Sequence, residues 1–266
     1  MDLVELVNHG QTKTMGRLWL YLLRFYFRIE VEGVENIPLK GGALILPNHS
    51  GFSGVDAVLL TFIIKRETRR RARLMAHRAF FDFSKTLKQL AESFGLKKAG
   101  IENGIDMLKK DRLLILFPEG ESGNFKSSLK RYHLETFHTG FLRMAIPAAA
   151  PIIPCVVIGA EETSLNLGNI NLSKFLRGLR IPLPLNFVPL PAKWTIKFLA
   201  PIDTSKYSKK ILKDRVMAER EAAKIQKMLQ GEIQKALKSR KYVYFKKTKK
   251  IAKRIMRQAK LRGAKP

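Results

Sequence analysis

The sequence predicts an α/β fold: a largely buried sheet with helices packed on its faces. Two observations carry this. Short, uninterrupted apolar runs alternate along the chain with longer stretches of helical periodicity, as strand–helix repeats require. Several of those runs end in polar residues, His49, Glu119 and Glu161, and ligands of open α/β sheets bind beyond the strand ends.

The elements follow in order. Residues 1 to 29 read as one or two helices, and "RIEVEGVENIP" (Arg28 to Pro38) alternates like an edge strand running into a turn. "GGALILPN" is a short apolar run after two glycines, a buried strand, and "GVDAVLLTFIIKR" is the helix that follows. "RARLMAH" (Arg71 to His77) reads as a strand. "FFDFSKTLKQLAESFG" and "IENGIDMLKK" read as helices. "DRLLILFPEG" is a strand with a loop at its tip, "ETFHTGFLRMAI" a helix, and "APIIPCVVIGAE" and "AKWTIKFLAPI" are strands. Between these last two lies Ile181 to Ala192, "IPLPLNFVPLPA", whose four prolines exclude an internal strand or a regular helix. It reads as a packed surface loop, or as an apolar wall or a patch that dips into lipid. From Ser205 a long helix is expected, with Ile225, Leu229, Ile233 and Leu237 forming one apolar stripe.

The 266 residues suit one or two domains. The division expected is an N-terminal interfacial helix (1–29), a catalytic domain (30–204) and a basic C-terminal helical extension (205–266). A hydrophobic fraction of 45% excludes a disordered chain. The single cysteine, Cys155, excludes an internal disulfide framework and a cysteine-based zinc site, and its apolar strand suits an inert thiol.

Charge is the outlier. Fifty Lys+Arg against 22 Asp+Glu give +28, and Ser205 to Pro266 holds 22 basic and 4 acidic residues. Such a surface seeks polyanions, either nucleic acid or an anionic membrane. The segment "FKKTKKIAKRIMRQAKLRGAK" sets Ile251, Ile255 and Ala259 in dense Lys and Arg, a basic amphipathic pattern. The acidic opening "MDLVELVN" argues against a secretory leader. "MGRLWLYLLRFYFRI" (Met15 to Ile29) is apolar and aromatic, but three arginines interrupt it and it is shorter than the ~20 residues a spanning helix needs. These features predict a protein lying on the cytoplasmic side of a membrane, peripheral or monotopic.

Two stretches can carry chemistry. In "PNHSGFSGVDAVLL", His49 and Asp56 lie seven positions apart. On a regular helix that is about 10 Å along the axis, too far for a hydrogen bond. Gly51 and Gly54 allow a tight loop instead, placing Asp56 in the first helical turn within reach of the imidazole. A carboxylate on one ring nitrogen leaves the other free to act as a base. The spacing of Ser53 and Asp56 equally suits a helix cap. The second stretch, "FPEGESGNFKSSLKRY", offers glycines, hydroxyls, Lys126, Lys130 and Arg131 as a phosphate cradle.

Taken together, "PNHSG" with Asp56, then "FPEG", then "APIIPCVVIGAEE" (Ala150 to Glu162) resemble the glycerolipid acyltransferase family, which includes lysophosphatidate acyltransferases. The resemblance covers Val31 to Pro201, and "GVENIP" and "FLAPID" extend it. It implies a mixed, mostly parallel sheet flanked by helices. It also implies transfer of a fatty acyl group from acyl-CoA or acyl-carrier protein to a hydroxyl of a lysophospholipid or related glycerolipid. By resemblance His49 is the general base and Asp56 its partner. Glu119 and Gly120 shape the acceptor site, and Lys126 and Arg131 hold a phosphate of the acceptor or of CoA. No cofactor or metal is implied. Partners are an anionic membrane surface, the glycerolipid acceptor and the thioester donor. Nucleic acid is disfavoured, because no nucleic-acid-binding motif accompanies the charge.

The sequence departs from the family pattern in three places. The pair is His-x6-Asp where His-x4-Asp is commoner. Glu121-Ser122-Gly123 stands where the commoner form has Thr-Arg-Ser, so the family's phosphate-binding arginine has no counterpart there. In the middle block only Lys97 and Lys98 lie about where it belongs. The rival reading is a non-catalytic basic protein that binds membrane lipid or nucleic acid.

Overall fold

The computed structural model describes residues 18, 21–49, 54–76, 96–124, 126–171 and 180–245. The expected helix at "FFDFSKTLKQLAESFG", most of Met15 to Leu20, the Gly51 side of the His49 loop and the basic segment after Phe245 lie outside these residues.

A seven-stranded sheet organises the chain. Its strands are β1 (Glu30–Glu32), β2 (Ala43–Pro47), β3 (Ala72–Ala76), β4 (Leu96–Lys98), β5 (Leu113–Ile115), β6 (Ile152–Ile158) and β9 (Thr195–Phe198), in the order β1-β9-β6-β2-β5-β3-β4. Every pairing is parallel except β6 with β9, which makes the sheet mixed and mostly parallel, as expected. β1 is an edge strand, and every residue of β2, β5 and β6 is buried. Burial on both faces explains why these strands read as continuous apolar runs rather than alternating ones.

The sheet separates two core layers, and alternate residues of each strand supply them. Ile45, Ile115, Ile153, Cys155 and Val157 face one layer, with Leu59, Leu60, Ile63 and Ile64 of helix α1 (Val55–Thr68) and with Trp194 and Phe27. Leu44, Leu46, Leu114, Val156 and Ile158 face the other. They meet helix α2 (Ile101–Lys109) at Leu108 and α4 (Gly140–Ala145) at Phe141 and Leu142. Helix α6 (Arg215–Ser239) closes this layer with Ile225, Leu229 and Ile233 buried, three of the four members of the anticipated stripe, and Leu237 half-buried against them.

Four expectations change. The long helix begins at Arg215, not Ser205: Asp214 accepts the Met217 N–H as its cap, and two 3-10 turns precede it. Only Gly140–Ala145 of "ETFHTGFLRMAI" is helical, because the Glu135 and His138 N–H groups are committed to Glu119 and to the Pro118 carbonyl. "GESGN", read as loop, forms the short helix α3 (Gly120–Asn124). The proline-rich stretch is not all loop. Its start forms β8 (Arg180–Pro184), paired antiparallel with β7 (Asn166–Asn171) in a separate two-stranded sheet, an arrangement that spares prolines a central ladder. Among the described residues, no helix is long and apolar enough to cross a membrane.

Candidate active site

The carboxyl ends of β5, β2 and β6, three adjacent parallel strands, converge on one place. His49 follows β2, Glu119 follows β5, and Glu161 sits in the short helix α5 (Ala160–Thr163) after β6. Asn48 anchors the first of these loops. Its side-chain amide donates to the Val157 carbonyl at 2.9 Å, and its oxygen accepts the Val157 N–H at 2.7 Å. One buried side chain thus continues the β2–β6 ladder past the strand end and fixes the residue before the histidine. Glycine is needed at Gly159, where φ is 108° and a Cβ would lie 2.5 Å from the Lys193 carbonyl oxygen.

The histidine and the aspartate meet. His49 Nδ1 lies 2.9 Å from Asp56 Oδ2. Gly54, at φ 65°, is the residue from which α1 starts, and Asp56 falls in its first turn. The other Asp56 oxygen, Oδ1, accepts the Ala57 N–H at 2.8 Å, and among the described residues no side chain caps the helix. One carboxylate oxygen thus serves the imidazole and the other a main-chain N–H of the first turn. The N-cap itself is Gly54 rather than Ser53. The Asp56 side chain is 0% exposed, while that of His49 keeps 14%. Phe117 stacks on the imidazole with ring centroids 4.0 Å apart. The ring is thus held at one nitrogen and one face and retains access to solvent.

Glu119 holds the same histidine by its main chain. Its Oε1 accepts the His49 N–H at 2.9 Å, and its Oε2 accepts the Glu135 N–H at 2.8 Å. Lys126 Nζ stands 3.6 Å from Glu119 Oε2 and 3.0 Å from Glu161 Oε1, and donates to the His133 carbonyl at 3.1 Å. Burial works against the Lys126 charge, but Glu161 and Glu119 more than offset it, and its pKa lies above the ordinary lysine value. One ammonium serves two carboxylates. Burial pushes Glu161 up to about 7 against the pull of Lys126, with the nearby Glu119 adding to the rise.

The network runs on. Glu161 Oε2 accepts the Tyr132 N–H at 3.0 Å, and the Tyr132 hydroxyl donates to Glu162 while accepting the Gly159 N–H at 2.9 Å. Arg240, just past α6, pairs with Glu162 at 2.7 Å. Burial, with Glu162 beside it, holds the Tyr132 phenol well above its ordinary pKa. Burial also raises the Cys155 thiol, which keeps it protonated and unreactive inside β6.

Of the site residues expected from sequence, the structure brings together His49, Asp56, Glu119 and Lys126, with Gly120 opening α3 beside His138. Two roles need correction. Lys126 is not a free phosphate ligand, since its side chain is 4% exposed and its ammonium is engaged by two carboxylates and a carbonyl. Glu119 does not face a ligand either: it is fully buried and both oxygens are taken by protein donors. Arg131 is exposed, and among the described residues no ion pair holds it. Sequence reasoning passed over Asn48, Phe117, Tyr132, Glu162 and Arg240, and noted Glu161 only as a polar strand end. The asparagine directly before the histidine and the acidic pair after "VVIGA" were the available signals.

Comparison with known proteins bears on the family and the fold. The acyltransferase family model matches residues 28–158. An uncharacterized protein of Mycobacterium tuberculosis is 34% identical over 249 residues, 89% of this chain and 69% of its own length. The DGAT1/2-independent enzyme synthesizing storage lipids of Gallus gallus is 29% identical over 193 residues, 72% of this chain and 56% of its own. The crystal structure of the 1-acyl-sn-glycerophosphate (LPA) acyltransferase PlsC from Thermotoga maritima shares the fold, with a TM-score of 0.53 at 16% identity over 88% of this chain and 85% of that one. With its mixed, mostly parallel sheet and its match to that family model, this chain belongs to the acyltransferase family.

Proposed function

We propose that the protein transfers a fatty acyl group from an acyl thioester, acyl-CoA or acyl-carrier protein, to a hydroxyl of a lysophospholipid or related glycerolipid at a membrane surface. The observation that carries this reading is the 2.9 Å contact between His49 Nδ1 and the buried Asp56 carboxylate. With Nδ1–H donating to Asp56, Nε2 presents a lone pair. It takes the proton of the acceptor hydroxyl as that oxygen bonds to the thioester carbonyl carbon. The tetrahedral intermediate collapses, the C–S bond breaks, and the imidazolium returns its proton to the departing thiolate. The products are one ester and one free thiol, with no acyl-enzyme between them. Asp56 stabilises the imidazolium while it lasts. Base catalysis of this kind contributes about 10²- to 10⁴-fold.

Glu119 and Lys126 take positioning roles in this scheme, Glu119 on the His49 backbone and Lys126 on Glu119. Arg131, exposed and held by no ion pair among the described residues, is the cation assigned to a phosphate of the acceptor or of CoA. A glycerolipid acceptor is supported by the likeness to the LPA acyltransferase fold and to the storage-lipid enzyme. An anionic surface is supported by the +28 charge.

The test is direct. Purified protein is mixed with acyl-CoA or acyl-carrier protein and a panel of lysophospholipids in mixed micelles. Free thiol is followed optically and acylated lipid by mass spectrometry. The reading requires thiol and new ester to appear one for one with at least one acceptor. Thiol release with no acylated lipid for any acceptor sinks it.

A further inference from the structure

We propose that residues 183–188, the end of β8 and the turn after it, insert into an anionic phospholipid bilayer and hold the active site against it. The proposal rests on the membrane-surface part of the function above and not on its chemistry.

Four large apolar side chains crowd this short segment and face outward: Leu183, Leu185, Phe187 and Val188, the last two 89% and 75% exposed. Such clustering on a surface marks an interaction site. The backbone here is prepared to lose water. Pro182, Pro184, Pro189 and Pro191 carry no N–H, and the Leu185 and Leu190 N–H groups bond to the Leu165 and Thr163 carbonyls, each at 2.9 Å. The Asn186 amide donates to the Thr163 carbonyl at 3.0 Å and to the Val188 carbonyl at 2.7 Å, and its oxygen accepts the Leu165 N–H at 2.7 Å. A segment entering lipid must satisfy its polar groups internally, and these bonds and prolines meet part of that demand while the apolar side chains turn out.

Three segments remote in sequence meet here. The Tyr26 hydroxyl donates to the Pro189 carbonyl at 2.7 Å, which joins the turn to the helical residues 21–26 with their exposed Leu22 and Phe25. Arg28 donates to the Pro191 carbonyl and lies over the Phe245 ring at 5.7 Å. Phe245 is itself exposed, and the sequence after it is rich in Lys and Arg with no acid.

Charge selects the occupant. From Leu165 to Ala192 the sequence has three basic residues and no acidic one, within a chain of net charge +28. Two copies meeting through this face would repel each other, whereas an anionic bilayer attracts it. Position gives the insertion its use. The Asn166 N–H donates to Ser128 Oγ at 2.8 Å and its amide to the Lys126 carbonyl at 3.3 Å, which ties the base of the β7–β8 hairpin to the loop bearing Lys126. A turn seated in lipid therefore holds the mouth of the site at the acceptor's surface.

The test uses full-length protein and vesicles of phosphatidylcholine with phosphatidylglycerol. Phe187→Asp/Val188→Asp alters side chains exposed to water, so its melting curve should match wild type. Its vesicle affinity should fall at least about tenfold, because each such side chain partitions into lipid with that strength. A fluorophore on Phe187→Cys, selective because Cys155 is buried, should shift to the blue on vesicles. His49→Ala should bind vesicles like wild type, which separates failure of docking from failure of chemistry. Unchanged affinity of the double variant, or no spectral shift, overturns the proposal. So does loss of self-association by the double variant with vesicle binding intact.

Discussion

The backbone N–H of His49 donates to Glu119 at 2.9 Å, across 70 positions of sequence. The histidine is thus held twice, its ring by Asp56 and its main chain by Glu119. Because Glu119 comes from the end of β5 and His49 from the end of β2, the contact also locks two strand ends together.

Glu119→Gln should lower kcat and leave the KM for the acceptor nearly unchanged. Glutamine replaces one acceptor oxygen with a donor, which then faces an N–H group or the Lys126 ammonium. A buried group left unsatisfied costs about 1–3 kcal/mol, so stability should fall as well. Steady-state kinetics in both substrates decide the matter. A raised KM with kcat intact would return Glu119 to the acceptor site.

Lys126→Met removes the ammonium that stands between two buried carboxylates and should destabilise the protein by about 3–5 kcal/mol in urea unfolding. Lys126→Met/Glu161→Gln should lose less than the two single variants added together, by on the order of 1–3 kcal/mol, since the second change removes one of the two carboxylates left bare by the first. Strict additivity would mean that the pair does not interact in the folded state.

Glu161 should make stability depend on pH. Its carboxyl titrates near 7 in the fold, above the ordinary value of 4.5, because burial disfavours the charge. Between these values the native state holds a proton that the unfolded chain has released. Its contribution is therefore full below about 4.5 and is lost as pH rises through about 7, a change of roughly 3 kcal/mol at about 1.4 kcal/mol per pKa unit. Urea midpoints from pH 4.5 to 8 should show wild type weakening relative to Glu161→Gln as pH rises. Parallel curves would contradict the assignment.

Much of the fold was legible because burial imposes a simple pattern. β2, β5 and β6 are buried throughout and read as plain apolar runs, and the stripe of Ile225, Leu229 and Ile233 reads as one helix face. The misses share a cause, which is partners distant in the chain. β4 is three residues long and exists by pairing with β3. Residues 135–139 are expected to be helical, but their N–H groups at Glu135 and His138 are used by Glu119 and Pro118. β8 tolerates its prolines by pairing with β7 alone.

The site divides the same way. His49 and Asp56 sit within one loop and helix turn, so local spacing and glycine placement revealed them. Lys126 looked like a surface cation among Gly, Ser and Lys. It is buried because Glu119 and Glu161, from two different strand ends, flank it, and no local pattern records that.

The central claim, that His49 is the base of an acyl transfer, is tested most directly by the turnover of His49→Ala with a thioester donor and the best lysophospholipid acceptor, beside its melting curve. The variant should melt near wild type and turn over about 10²- to 10⁴-fold more slowly. A folded His49→Ala protein that makes ester at the wild-type rate would contradict the account.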